Sequence, residues 1–284
     1  MDEGRIARGV RLSRLSWSVV RLRPGLLVIP AVSMLIQVAG SVLLFGPWAM
    51  DIVDHHSRGR LFLDAAIGAY PATFVVTYFN VAFYALAAAT IDGRPLTTAQ
   101  AFERARSRLW AVASWAFVAT VVGAVLRSLE QLPGGGLAGR LVEWVGDVAW
   151  SLASFFVVPV LALEDVGVGT APRRSAATIR RTWGESVTGA ALIGFGSGFV
   201  VLAFVGVGAL GVAIGQAGHV AGYGLTALAA VAVAALIAAQ SALVMVFRLA
   251  VYRYAVGAGG VGPFATADLE AAFKPRRRRR LPGR

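Results

Sequence analysis

The sequence predicts an all-α fold, a polytopic transmembrane bundle of six spans with amphipathic interfacial helices on its cytoplasmic face. Composition supports this prediction: the 284 residues are 57% hydrophobic, with a mean hydropathy of +0.68, whereas soluble globular proteins are roughly 45–50% apolar. Patterning supports it too. The apolar residues lie in blocks of about twenty, the length that crosses a hydrocarbon core as a helix, and charged residues separate the blocks.

Six apolar blocks give the predicted spans. The backbone must satisfy its own hydrogen bonds in lipid, so we expect each block to be helical. The alternation of apolar and polar residues that β-barrel strands would show is missing. We place the spans at residues 25–49, 67–91, 109–128, 141–163, 188–215 and 221–255.

The spans are expected to form one membrane domain, residues 25–255, flanked by two basic segments. Residues 1–24 form an N-terminal interfacial segment, and residues 256–284 form a cytoplasmic tail with an amphipathic piece and a polybasic end. Six arginines precede the first apolar block. That block is longer than the apolar region of a cleavable signal, about 7–15 residues, so we interpret it as a retained anchor.

The basic residues predict the orientation, because loops rich in Lys and Arg stay in the cytoplasm. With the N-terminus inside, 23 of the 27 basic residues lie on the cytoplasmic side, in residues 1–24, 92–108, 164–187 and from Arg248 onward. We therefore predict a multi-pass protein of the inner or plasma membrane with both termini cytoplasmic. The same distribution accounts for the net charge of +12, and we expect no nucleic-acid partner.

Three cytoplasmic segments, residues 5–17, 97–110 and 171–183, have the pattern of interfacial helices. Each ends in a tryptophan that follows basic residues, and indole rings commonly anchor helices at the membrane surface. These predicted anchors are Trp17, Trp110 and Trp183. The three segments are either an internal repeat or the same solution to anchoring reached three times.

Two of these segments carry signals for a helix start. Thr97 and Gln100 have the spacing of a capping box. Thr170 is a candidate cap for the third segment, with Pro172 in its first turn. Both segments are thus predicted to begin as helices beside charged loops.

The C-terminal charge run follows Lys274 and has two interpretations. It is either a disordered stop signal on the positive side, or a segment attracted to anionic lipid head groups by about 1 kcal/mol per basic residue. Anionic membrane lipids are thus the expected partners, together with a protein partner or a second copy. RNA is disfavoured because no aromatic residues interleave with the arginines. The run consists of Arg276, Arg277, Arg278, Arg279 and Arg280.

Polar residues inside the spans line up at helical spacing and predict a polar seam. They either form ordinary hydrogen bonds between helices, worth about 0.6 kcal/mol each, with Asp147 paired to Arg127, or line a hydrated path with Asp147 as a cation or proton site. Prolines within spans one, two and four, among them Pro159, either kink helices that line a site or serve packing. The candidate seam comprises Asp147, Glu143, Ser151, Asn80, Thr77, Gln37, Gln240 and Arg127.

No motif for binding a cofactor or a metal has the sequence context it needs, so no catalytic, cofactor or metal residue is predicted. A G-x-G-x-x-G run from Gly206 to Gly211 lies inside an apolar span rather than between a strand and a helix. The acidic and histidine residues at 51–56 are interpreted as a solvated loop after span one rather than as metal ligands. Glu164 and Asp165 are interpreted as the start of a loop, interacting with Arg173 or Arg174.

A resemblance to a known family extends from about residue 14 to residue 273. Its most distinctive stretches are Phe155 to Val160, Glu164-Asp165, Arg174 to Ala176 and Arg181 to Glu185. They resemble a family of uncharacterised bacterial six-span membrane proteins common in actinobacteria. More loosely, the basic helix ending in tryptophan is similar to membrane regions attached to glycerophosphodiester phosphodiesterases. Their catalytic barrel is absent here, so the resemblance implies no enzyme activity.

Two functions remain open on the sequence alone. The first is a non-enzymatic membrane scaffold or accessory protein that contacts anionic lipid, supported by the basic interfacial segments and the polybasic end. The second is a small transporter or channel-like protein with a polar seam around Asp147, supported by the polar residues and prolines within the spans.

Overall fold

The computed structural model describes residues 5–55, 58–130, 146, 149–151, 153–183, 206, 212–214, 216, 220–257 and 262–264. Within these ranges all regular secondary structure is helical and no strand occurs, which confirms the all-α prediction. The helices are α1 (Arg5–Val20), α2 (Gly25–His55), α3 (Arg58–Ile91), α4 (Thr98–Ser107), α5 (Leu109–Glu130), α6 (Val157–Leu163), α7 (Ala171–Trp183) and α8 (Val220–Ala255).

Three helices of the described residues are long and apolar enough to cross a membrane. They lie in α3, α5 and α8, at Gly68–Ile91, Leu109–Ser128 and Tyr223–Ala255, close to predicted spans two, three and six. A fourth candidate combines Arg11–Val20 with Gly25–Gly40, which are bent by 94°. Predicted span five falls almost entirely outside the described residues and span four partly so, and the count of six stays a prediction.

Helix α2 extends further than the sequence predicted. It continues to His55, so the interpretation of residues 51–55 as a loop after span one is wrong. Composition marks where the apolar segment ends, but the backbone hydrogen bonds of a helix continue until a stop signal interrupts them. His56 lies outside the described residues.

The fourth predicted span is interrupted at Phe155 and Phe156, where the chain makes a turn before α6 begins. Pro159 supplies the cause, because a proline lacks an N–H and its ring clashes with the carbonyl four residues earlier, that of Phe155. The backbone N–H of Phe156 instead donates to the hydroxyl of Ser175 on α7, at 3.0 Å. Ser175 is fully buried, and the break therefore attaches α7 to the bundle.

Helix α3 forms the centre of the described bundle and packs against α2, α4, α5, α6 and α8. Its residues 81–90 are all buried, as expected of a helix surrounded by others. Phe83, Tyr84 and, at the break, Phe156 are the largest fully buried side chains. The C-terminal half of α3 therefore carries the core, and its last turn opens onto the charged end of the molecule.

Candidate functional site

Five helix ends meet at one end of the bundle: the starts of α2 and α5 and the ends of α3, α6 and α8. Arg23, just before α2, connects two of them, because its Nη2 donates to the carbonyl of Arg94 at 2.7 Å and its Nη1 to the carbonyl of Leu96. Arg23 thus links the N-terminal basic segment to residues 94–96. Ionic contacts join the same helix ends, and we call these residues the charged cluster: Asp92, Arg94, Arg104, Arg108, Glu164, Asp165, Arg174 and Arg253.

Asp92 occupies the turn that ends α3. Gly93 follows it with a φ of +66°, a left-handed conformation that glycine adopts without strain and that commonly terminates a helix. Arg253 near the end of α8 places Nη2 2.5 Å from Oδ1 of Asp92, and Arg94 places its Nη2 2.9 Å from Oδ2. One carboxylate therefore receives two arginines, from different helix ends.

The pKa of Asp92 reflects these contacts. Burial raises the pKa, but the hydrogen bonds and positive charges of Arg253 and Arg94 together outweigh it and lower the pKa below its ordinary value. The carboxylate therefore stays ionised at neutral pH, and the pair that ties α3 to α8 persists.

Asp165 receives a second pair of arginines, both from the α4 region. Nη2 of Arg104 lies 3.1 Å from Oδ1 of Asp165, and Arg108 forms an ion pair with the same oxygen. Arg104 also donates from Nε to the carbonyl of Ala162 at 3.3 Å, and Arg108 donates to the carbonyl of Glu164. These contacts attach α4 to the end of α6.

Glu164, at the end of α6, contacts two further elements. Its carboxylate forms an ion pair with Arg174 on α7 and accepts a hydrogen bond from the hydroxyl of Tyr252 on α8. The predicted contact of Glu164-Asp165 with Arg173 or Arg174 is confirmed for Glu164 and Arg174. The partners of Asp165 come from α4, which the sequence analysis did not anticipate because they lie about sixty residues earlier in the chain.

The predicted start of α4 is confirmed in detail. The backbone N–H of Thr97 donates to Oε1 of Gln100 at 2.9 Å, and the N–H of Gln100 donates to Oγ1 of Thr97 at 3.2 Å, which forms a capping box. Just before α7 the hydroxyl of Thr170 donates to the carbonyl of Gly167 at 2.9 Å, and its predicted role as a cap of α7 stays a prediction. Pro172 lies in the first turn of α7, as predicted.

The apolar face of α4 contacts protein. Ala101 and Ala105 are fully buried, and the ring of Phe102 lies 5.9 Å from Tyr78 and 5.2 Å from Phe79 on α3. Helix α4 therefore packs against the core through this face, and its position at a membrane surface stays a prediction.

Two of the predicted tryptophan anchors are exposed. Trp110 is 85% exposed at the start of α5, and Trp17 is 37% exposed on α1. The side chain of Trp183 and the predicted lipid-binding residues Arg276, Arg277, Arg278, Arg279 and Arg280 lie outside the described part of the structure.

The predicted polar seam is described only in part, because Glu143 and Asp147 lie outside the described residues. The hydroxyl of Thr77 donates to the carbonyl of Thr73 at 2.8 Å, and Nε2 of Gln37 donates to the carbonyl of Ser33 at 3.2 Å. These bonds lie within single helices. The remaining members are half-buried or exposed: Asn80 and Gln240 are half-buried, and Ser151 and Arg127 are exposed. The seam stays a prediction.

The surroundings of Arg248, an arginine inside the apolar candidate span of α8, were not predicted from the sequence. Its guanidinium lies 4.7 Å from the ring centroid of Phe155, at the break before α6. Tyr84 of α3 is close enough for the Arg248 charge to act on its hydroxyl. A cation within an apolar block was the available signal, because charge at membrane depth usually contacts protein or water.

Comparison with known proteins identifies a family. The sequence model of the Family of unknown function (DUF6159) matches residues 67–262. The chain belongs to this family. Within DUF6159, the matched region runs from α3 past the end of α8, and so contains the whole charged cluster and Arg248 as well as the break at Phe155. No curated protein and no solved structure matches the chain. The resemblance to an uncharacterised family is thereby confirmed, whereas its bacterial group and the likeness to glycerophosphodiester phosphodiesterases stay predictions.

Proposed function

We propose that this DUF6159 member is an integral membrane protein that acts as a non-enzymatic scaffold or accessory protein, with its charged end held against anionic lipid. Both termini are cytoplasmic in this proposal. The observation that carries it is Trp110, a large aromatic side chain that is 85% exposed directly after the basic residues of α4. Tryptophan in such a position is typical of the interface between lipid and water.

The arginines at the charged end divide into two groups, which supports the proposal. Those of the charged cluster face carboxylates and hold the helices together. A second group is exposed and forms no ion pair within the part of the chain that the structure describes. Such residues attract anionic head groups by about 1 kcal/mol each. This second group comprises Arg14, Arg21, Arg106, Arg173, Arg180 and Arg181.

A preformed basic surface loses less conformational freedom on binding than a flexible one. Here Arg106 lies on α4 between two residues, Arg104 and Arg108, that are bound to Asp165. Arg173 similarly precedes Arg174, which is bound to Glu164. The ion pairs thus hold exposed arginines on helices whose opposite faces pack against the bundle. That arrangement suits a stable contact with lipid better than catalysis, since each carboxylate of the charged cluster is already engaged.

The alternative of a small transporter or channel-like protein stays a prediction. Its central residues, Asp147 and Glu143, lie outside the described residues, and the hydrogen bonds of Thr77 and Gln37 remain within their own helices.

The depth of Trp110 tests the proposal, and the absence of cysteine makes the test clean. Trp110→Cys is labelled with a fluorophore and reconstituted with lipids that carry a quencher either near the head group or deep in the acyl chain. Phe117→Cys serves as the matched control, because Phe117 is 61% exposed two turns further along α5. We expect shallow quenchers to act more strongly on position 110 and deep quenchers on position 117. Equal quenching at both positions would contradict interfacial placement.

Lipid preference is tested separately by counting bound phosphatidylglycerol against phosphatidylcholine with native mass spectrometry. The triple variant Arg106→Gln, Arg173→Gln and Arg181→Gln removes three exposed charges, and we expect at least about tenfold weaker binding of phosphatidylglycerol. Arg127→Gln removes an exposed charge at the far end of α5 and should leave binding unchanged. A triple variant that binds phosphatidylglycerol like the wild type would refute the proposal.

A further inference from the structure

Arg248 differs from the arginines of the charged cluster in having no acidic partner among the described residues. Arg104, Arg108, Arg174 and Arg253 each form an ion pair with a carboxylate. Arg248 instead lies against the Phe155 ring, and its buried Nε has no hydrogen-bond partner in the described part of the chain. A face contact with an aromatic ring stabilises the cation, but it leaves the N–H donors at the edge of the guanidinium without an anion among the described residues.

The position of Arg248 in the helix makes the lack of a carboxylate partner among the described residues costly. Arg248 lies inside the candidate span of α8, seven residues before Ala255, which is about 10 Å along a helix axis. Cations at such depth usually pair with another group or reach water. Glu164, the carboxylate one helical turn away, is already bound to Arg174 and Tyr252. The group that compensates the charge of Arg248 must therefore be something other than these residues.

The helix of the span that contains Phe155 is interrupted beside Arg248. The interruption covers Phe155 and Phe156, and Arg248 itself is partly exposed. Tyr84, fully buried on α3, is close enough for the Arg248 charge to act on its hydroxyl. The site thus combines a planar cation with a phenolic hydroxyl at the junction of α3, α8 and the break before α6.

We propose that Arg248 and Tyr84 bind a phosphate group. A guanidinium offers a fork of N–H donors that matches two oxygens of a phosphate, and a tyrosine hydroxyl supplies one further donor. The group comes either from the head of an anionic lipid, since the site lies about two turns below the charged end, or from free phosphate. This inference concerns a site separate from the exposed arginines and does not rest on their binding of lipid.

Thermal unfolding of the full-length protein in a non-ionic detergent tests the site, because a ligand that binds the folded state raises the unfolding midpoint in a saturable way. The probes are inorganic phosphate and dihexanoyl phosphatidic acid. Sodium chloride at equal ionic strength and dihexanoyl phosphatidylcholine are the controls. We expect saturable rises with one or both phosphate probes and none with the controls. A response to phosphatidic acid alone identifies a lipid source, and a response to inorganic phosphate alone identifies a soluble one.

Arg248→Met removes the charge while keeping an apolar side chain of similar length, and replacement of a buried charge by an apolar residue is commonly tolerated. It should abolish the saturable rise. Arg248→Lys keeps the charge but loses the fork, and should bind at least about tenfold more weakly. Tyr84→Phe should also weaken binding.

The wild type without a saturable response would overturn the proposal, as would an Arg248→Met variant that responds like the wild type. Either result would make Arg248 a structural cation held by the Phe155 ring. The variant with Arg106, Arg173 and Arg181 replaced keeps Arg248 and should retain the response, so failure of the lipid-scaffold proposal is distinguishable from failure of this one.

Discussion

Arg253 and Asp92 join the end of α8 to the end of α3. Nη2 of Arg253 lies 2.5 Å from Oδ1 of Asp92, and Nη1 reaches the carbonyl of Ala88 at 3.5 Å. The two side chains are 12% and 24% exposed. This contact connects residues 161 positions apart, and it lies at the end where the other helix ends also meet.

Asp92→Asn should destabilise the protein by about 1–3 kcal/mol. Removing one partner of a fully buried ion pair costs about 3–5 kcal/mol, and the partial exposure of Asp92 reduces that cost through solvent screening. Denaturant unfolding in detergent measures the difference. Glu103→Gln on α4 is the matched control, because Glu103 is exposed and forms no ion pair within the described residues; it should change stability by less than about 0.5 kcal/mol. Equal effects of the two substitutions would argue against the pair.

The contribution of Asp92 should depend on pH in a defined direction. Its pKa in the folded protein is lowered from the ordinary 3.8, so the stabilisation is fully present above that ordinary value and disappears as the pH falls through the lower folded-state pKa. The stability difference between wild type and Asp92→Asn should therefore be constant near neutral pH and shrink in acid. Unfolding curves recorded from pH 7 downward test this, and a difference that grows in acid would have the wrong sign.

Ser175→Ala should cost about 1–3 kcal/mol, because it removes the buried hydroxyl that accepts a hydrogen bond from the N–H of Phe156 at the break. Ser107→Ala provides the control, since the Ser107 hydroxyl donates to the carbonyl of Arg104 at an exposed site. Hydrogen exchange of the Phe156 amide is a second readout. Faster exchange at Phe156 in Ser175→Ala alone is expected, and unchanged protection would show that the hydroxyl is dispensable.

Gly25→Ala should destabilise the start of α2. A Cβ at this position would lie 2.7 Å from Oγ1 of Thr98 and 2.9 Å from Cδ2 of Leu86, distances at which the neighbours must move. Gly40→Ala on the same helix meets nothing within 4 Å and should be neutral or stabilising by up to about 1 kcal/mol. Thermal unfolding of both variants gives the comparison. A Gly25→Ala variant as stable as Gly40→Ala would indicate that α2 and α4 are further apart.

Local features were predictable from the sequence because short-range physics determines them. The capping box of Thr97 and Gln100 depends on residues three positions apart, and the apolar blocks of α3, α5 and α8 on the length of helix that lipid demands. The contact of Glu164 with Arg174 spans only ten positions, across a loop. In each case the chain itself keeps the partners close.

The pairings at the charged end could not be predicted in the same way. Asp92 meets Arg253, and Asp165 meets Arg104 and Arg108, only because α3 packs simultaneously against α4, α6 and α8. Because many arginines are predicted to lie on the same side, the sequence allows each carboxylate several possible arginine partners. The distance between side chains determines which pair forms, and helix packing sets that distance.

The sequence by itself therefore determined that the described part of the chain is helical and where three of its apolar helices lie. Only the tertiary structure decided which face of α4 is covered, by placing Phe102 against Tyr78 and Phe79. It also decided which arginines are neutralised and that Arg248 lies against Phe155 without a carboxylate among the described residues. Hydrophobic periodicity predicts that a helix face is apolar. Burial and ion pairing depend on which helix packs against that face, and only the tertiary structure shows this.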